Sequence, residues 1–470
     1  MELDERLVQV IPEERQIRLQ QLEFYAFIHF TVNTFTDKEW GDGTESPAVF
    51  NPTKLDAEQW VRAIRAAGMR GLILTCKHHD GFCLWPTKQT GHSVANSPFR
   101  GGKGDVVKEV SDACAKYGIA FGIYLSPWDR NCPVYGEGKA YNDFFIAQLT
   151  ELLTGYGPIF SVWFDGACGE GPNGKKQKYD WPRYYETVRT LQPDACISVC
   201  GPDVRWCGNE AGHTRTSEWS VVPARLTIAE TTEGKSQKKD DPAFRTRRIR
   251  SQDKDLGSRK ALADEYDLIW YPAEVNTSIR PGWFWHAKEN GKVRKAEELL
   301  KIYFNSVGAN ATFLLNIPPT NEGLLHENDV RVLEEIGAYL QKTFDHEITQ
   351  KAAVSADSAA PDCGIENALT DGYEAYYMPK GCSAEITLRF SEPEKLGCLR
   401  LKENIRMSQR IERFSVDIEN NGKFKEIYSG TVVGYQRIVR LGGVTASALR
   451  IRIIDARTEP TLARIALYGA

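Results

Sequence analysis

The stretch Ser161-Val-Trp-Phe-Asp165-Gly-Ala167 decides the fold. A short apolar run ends on a carboxylate, and a glycine follows at once. No polar residue alternates with Val162, Trp163 and Phe164, which predicts a strand buried on both faces, as in a parallel sheet. Gly166 then ends the strand and leaves Asp165 at its C-terminal tip. In a (β/α)8 barrel that tip is where reactive side chains are mounted. A desolvated carboxylate beside Trp163 suits a nucleophile or a base; the plainer alternative is a helix-capping Asp in a βα loop.

Working outward, strand and helix patterns alternate over the first three-quarters of the chain. Strands are expected at Phe24–Phe30, Gly71–Cys76, Ile119–Leu125, Ile159–Phe164, Cys196–Cys200, Ser217–Ser220, Leu268–Tyr271 and Thr312–Asn316. Between the first two, Ala57, Trp60, Val61, Ile64 and Ala67 recur at helical spacing, with Asp56 and Gln59 placed as a capping box and Gly68 as the stop. Asp105 is placed to cap a helix burying Val106, Val107, Val110, Ala113 and Tyr117, which Gly118 ends. Further helical faces run through Phe145–Tyr156, Arg183–Leu191, Ala296–Asn305 and Asn328–Thr343. Strands alternating with crossover helices predict a (β/α)8 barrel with enlarged loops. A doubly wound sheet is the alternative, but no glycine-rich phosphate loop follows the first strand.

From about Lys351 the period changes from helical to alternating. Ala384–Phe390, Phe414–Ile418 and Leu449–Ile453 place apolar residues at every second position, and Asn420-Asn-Gly422 signals a hairpin turn. This predicts a C-terminal antiparallel β-sandwich. The expected organisation is a barrel over residues 1–348 and a sandwich over 349–470, with the boundary in the small, polar stretch Ala352–Asp362. The mixed-charge run Glu233–Lys260 reads as a solvated loop, or as an edge of the substrate cleft.

Composition narrows the function classes. A net charge of −4 argues against nucleic acid as the main partner, and no apolar run is long enough to span a bilayer. The start, Met1-Glu-Leu-Asp-Glu-Arg6, lacks the features of a signal peptide. Eleven cysteines are scattered without metal-ligand pairs, several of them inside apolar runs. A reducing cytoplasm is therefore the expected location, or a periplasmic or secreted one if a leader has been removed.

The residues at the expected strand tips form one constellation. They are His29 with Glu39 and Trp40, then Lys77-His78-His79-Asp80-Gly81-Phe82, then Tyr124 and Trp128-Asp129, then Trp163 and Asp165. Arg205-Trp206 and Gly208-Asn-Glu210 follow the fifth strand, Glu218-Trp219 the sixth, and Arg280 through Trp283, Trp285 and His286 the seventh. Imidazoles and carboxylates hydrogen-bond hydroxyls while aromatic rings cover C–H faces, so a polyhydroxylated, partly apolar ligand is expected. His78-His79-Asp80 has no third ligand at a fixed spacing, so neither a metal nor any other cofactor is expected.

These residues carry a resemblance. His29-Phe30, Glu39-Trp40, Lys77–Phe82, Tyr124, Trp163-Phe-Asp165 and Arg205-Trp206 resemble the α-L-fucosidases of glycoside hydrolase family 29, over about residues 5–345. Gly208-Asn-Glu210 and Trp270–Trp283 further resemble the branch specialised for α-1,3/1,4-linked fucose on Lewis-type glycans. The segment after Lys351 is similar to the discoidin-like domains often attached to such barrels. The resemblance implies retaining hydrolysis of terminal L-fucose from a fucosylated oligosaccharide or glycoconjugate. It implies Asp165 as nucleophile and Glu210 as acid/base, with Glu218 as runner-up. His29, Glu39, Trp40, His78, His79, Tyr124, Trp163 and Arg205 would hold the sugar, and Trp283 or Trp285 would cover its methyl group. The competing readings are another retaining glycosidase on the same barrel, and a carbohydrate-binding protein without turnover.

Overall fold

A computed structural model describes residues 2–470. Its first ten strands are β1 Phe24–Ile28, β2 Gly71–Lys77, β3 Ala120–Leu125, β4 Ser161–Phe164, β5 Cys196–Val199, β6 Arg205–Trp206, β7 Val221–Pro223, β8 Leu268–Trp270, β9 Ala273–Ser278 and β10 Ala311–Asn316. Eight of them form one parallel sheet in the order β5-β4-β3-β2-β1-β10-β9-β6. A parallel bridge between Ser198 and Val204 brings its two ends together, so the barrel is nearly closed. The first five strands are buried almost throughout, because helices cover them outside and side chains fill the barrel inside.

Helix signals in the sequence act as read. The Asp56 carboxylate accepts the Gln59 N–H at 2.9 Å and starts helix Ala57–Ala66, although the Gln59 side chain turns away to bond Leu325. Asp105 caps helix Val106–Tyr117 through the Lys108 N–H. Gly118 ends that helix at φ 68°, a left-handed conformation that costs glycine little.

Two of the expected barrel strands are displaced. Ser217–Ser220 is not a strand, and Leu268–Trp270 pairs antiparallel with Val221–Pro223 outside the barrel. The sixth and seventh staves are Arg205–Trp206 and Ala273–Ser278. Their polarity hides them from an apolar-run criterion. Arg205, Glu274 and Asn276 are polar yet buried, held by partners from distant parts of the chain. Only Cys200–Val204 lies between β5 and β6, so no helix crosses over at that step.

The C-terminal strands are β11 Ala352–Ala356, β12 Ala384–Glu403, β13 Ile411–Asn420, β14 Lys423–Gly430, β15 Arg437–Ala456 and β16 Leu462–Gly469. They pair antiparallel in the order β11-β12-β15-β13-β14, with β16 on the far half of β12. Register breaks after Arg389 and Leu396 divide the long β12 into two paired halves. Apolar residues from both halves enter one core with Phe414, Ile451 and Ile465, as a sandwich requires. The β13–β14 turn uses Asn421 at φ 52° and Gly422 at φ 73°, as a twisted two-residue hairpin needs. Ala352–Ala356, expected to be a linker, is an edge strand on β12.

Candidate active site

A cleft of about 560 Å³ opens at the C-terminal ends of the barrel strands. Its walls include His29, Trp40, His78, His79, Tyr124, Trp163, Asp165, Glu210 and Trp283, so nine of the expected site residues converge there. They come from separate loops and strand ends, which only barrel closure assembles.

Asp165 is held from two sides. Its Oδ2 accepts the Tyr124 hydroxyl at 2.9 Å and its Oδ1 accepts the Ala167 N–H at 2.7 Å. The His79 Nε2 lies 3.9 Å from the same Oδ2. Ser126 donates its hydroxyl to the Trp128 carbonyl and so accepts the Nδ1–H of His79, at 2.7 Å in each case. In the same way the Asn316 amide donates to Ser278 and to the Trp283 carbonyl, which turns its oxygen toward His29 Nδ1 at 2.8 Å. Both imidazoles are thereby set as Nδ1–H tautomers whose Nε2 lone pairs can accept ligand hydroxyls. Burial pushes the pKa of each down to about 4 and keeps it neutral. His78 is shifted in the same direction by burial and by its two imidazole neighbours.

Glu210 stands on the same cleft. Gln237 Nε2 donates to both of its oxygens, at 3.0 and 2.9 Å, and Trp283 Nε1 donates to Oε2 at 3.0 Å. Burial raises its pKa to about 7; the two donors pull against that rise and the charge of Asp165 adds to it. A carboxyl with this affinity for its proton can serve as a general acid near neutral pH. The Gln237 contact also settles the mixed-charge run Glu233–Lys260: Ser236 and Gln237 form part of the cleft wall, so this run edges the cleft.

Four expected contacts are not part of the wall. Glu218 is wholly buried, accepting Arg205 Nη2 at 2.8 Å and the Arg215 N–H at 2.8 Å. Burial alone would raise its pKa, but the Arg205 and Arg215 guanidiniums outweigh that and hold it below the usual value. An ionised carboxylate paired in this way is a poor proton donor, and Arg205 is committed to the same pair. Glu39 accepts the backbone N–H groups of Trp283 at 2.8 Å and Phe284 at 3.1 Å, the His286 Nε2 at 2.7 Å and Arg245 at 3.2 Å. Its carboxylate fixes the loop that presents Trp283. A Cβ on Gly282 would come within 2.4 Å of Glu39 Oε1, so that loop needs glycine there. Trp285 bonds Asn290 at 3.0 Å and is absent from the cleft wall.

Further contributors lie in segments read from the sequence, Arg205-Trp206 and Trp270–Trp283, without having been given a role there. Trp206 and Asn276 line the cleft, bonded to each other at 3.1 Å. Beneath it, Glu274 accepts Trp163 Nε1 at 2.8 Å and the Tyr25 hydroxyl at 2.5 Å. Burial raises the Glu274 pKa to about 7, with both donors opposing the rise. Among the described residues no group of three His, Cys, Asp or Glu side chains converges to hold a metal ion.

A parallel barrel with two carboxylates, imidazoles and indoles in its C-terminal cleft defines a glycoside hydrolase. The α-L-fucosidase family profile matches residues 13–344. Alpha-L-fucosidase 1 of Arabidopsis thaliana is 40% identical over 469 residues, covering 97% of this chain and 87% of that protein. A crystal structure from Bacteroides ovatus superposes with a TM-score of 0.85 at 44% identity, covering 100% of this chain and 76% of the other. A glycoside hydrolase family 29 fucosidase of Ruminococcus gnavus, solved in complex with fucose, gives 0.83 at 29% identity and covers 98% and 95%. The chain belongs to the α-L-fucosidases of glycoside hydrolase family 29, and its activity is that of an α-L-fucosidase.

Proposed function

We propose that this enzyme is a retaining exo-α-L-fucosidase acting on α-1,3/1,4-linked fucose of branched, Lewis-type glycans. The observation that carries the reading is the pairing of environments on one cleft: Asp165 is held by Tyr124 and Ala167, and Glu210 has its pKa raised to about 7. A carboxylate held in place on the same cleft as a carboxyl whose proton affinity is raised is what double displacement requires. Asp165 attacks the anomeric carbon as Glu210 delivers its proton to the departing glycosidic oxygen. Water then attacks the fucosyl ester, giving its proton to Glu210 and releasing fucose and free Asp165. The linkage preference is supported by Gly208-Asn-Glu210 and Trp270–Trp283, the segments resembling the α-1,3/1,4-specific branch. The bond between Trp283 and Glu210 links those two segments.

The test is a panel of Lewis a, Lewis x and α-1,2-fucosylated lactose, with fucose release and the first-formed anomer read by NMR. The expected result is hydrolysis of both Lewis trisaccharides, little of the α-1,2 isomer, and α-fucose as the first product. First-formed β-fucose would overturn the retaining step. Preference for the α-1,2 substrate would overturn the linkage reading.

A further inference from the structure

On the opposite side from the cleft, an indentation of about 890 Å³ lies where the N-terminal ends of the barrel strands meet the sandwich. Four cationic side chains line it: Arg70 ahead of β2, Arg400 and Lys402 on β12, and Arg464 on β16; Glu23 and Asp371 are the carboxylates. The cations exceed the anions, and those anions are largely committed. Glu23 Oε1 accepts the Tyr435 hydroxyl at 2.8 Å and lies 3.7 Å from Lys402 Nζ. Arg464 is held by Glu347 at 2.7 Å.

Arg400 and Arg70 are left over. Among the described residues neither has a carboxylate within ion-pair distance, and the Arg70 guanidinium donates to the Gln21 carbonyl at 3.0 Å. The Arg400 guanidinium lies 4.2 Å from the Phe344 ring centre, and its buried Nε has no hydrogen-bond partner. Burial disfavours the Arg400 charge, and although Glu23 and the neighbouring tyrosines outweigh this, its Nε is left without an acceptor. Burial lowers the pKa of Lys402, and although Glu23 opposes this, the Arg400 charge lowers it further. An anion seated among the three would offset the repulsion between Arg400 and Lys402 and give their donors a charged acceptor.

We propose that this indentation binds an oxyanion, sulfate or phosphate, free or carried on a saccharide, through Arg400, Arg70 and Lys402. Isothermal titration calorimetry of the whole protein at low ionic strength tests it, with sodium sulfate, N-acetylglucosamine 6-sulfate and neutral N-acetylglucosamine as probes. One or both oxyanion probes should bind at millimolar concentration and the neutral sugar should not. Arg400→Gln and Arg70→Gln should each weaken binding about tenfold, while turnover of an aryl fucoside stays unchanged and shows the fold intact. Tighter binding of the sulfated sugar than of sulfate would identify a saccharide-borne group; equal binding would identify the free ion. No heat from either oxyanion, or affinity unchanged in both variants, would overturn the proposal.

Discussion

Replacing Gln237 with alanine should shift the alkaline limb of the pH profile. A displacement of the Glu210 pKa from 4.5 to about 7 favours its protonated form by about 3 kcal/mol, at about 1.4 kcal/mol per pH unit. That balance already includes Gln237, whose Nε2 donates to both carboxylate oxygens and so favours the charged form. A hydrogen bond to a charged group is worth about 1.5–3 kcal/mol, part of which water entering the cleft would recover. The Glu210 pKa in Gln237→Ala should therefore rise by about 0.5 to 1. Activity needs the protonated acid, so the fall in kcat/KM at high pH should begin later by the same interval. The maximal kcat should drop, because only Trp283 remains to orient the carboxyl. The assay is fucose release from a Lewis trisaccharide, whose leaving alcohol depends on the acid, and the kcat/KM profile reports the free enzyme. An alkaline midpoint that stays fixed or moves down would refute both the assignment of Glu210 and the role given to Gln237.

Three further outcomes follow from the same geometry. Asp165→Ala should lower turnover by about 10³-fold or more, with azide partly restoring it as β-fucosyl azide; near-normal activity would remove Asp165 as nucleophile. Glu218→Gln should destabilise the protein by about 3–5 kcal/mol in urea unfolding, because Arg205 and Arg215 lose a buried counter-charge. The surviving enzyme should keep an unchanged ratio of aryl to natural-substrate rates, whereas loss confined to natural substrates would make Glu218 the acid. Trp163→Phe should cost about 1–3 kcal/mol of stability by leaving Glu274 with Tyr25 and no indole donor. That loss should grow as pH rises through about 7 and the buried carboxyl ionises.

The sequence by itself determined the elements whose signal is local. Val162–Phe164 is a buried stave, Asp105 and Gly118 bound their helix, and Asn421-Gly422 turns a hairpin, since each depends on neighbours a few residues away. His29, Trp40, His78, His79, Tyr124, Trp163 and Asp165 were legible as a cluster because a strand tip in a parallel barrel faces one common cleft. Tertiary structure decided the rest. Arg205–Trp206 and Ala273–Ser278 serve as staves because distant partners satisfy Arg205, Glu274 and Asn276, and no periodicity records partners so far apart. What distinguishes the surroundings of Glu210 from those of Glu218 is likewise tertiary. One carboxyl meets Gln237, Trp283 and the cleft, and the other meets Arg205 and Arg215 in the interior. They lie eight positions apart in the chain; burial raises the pKa of both, and the charges around each send the balance in opposite directions.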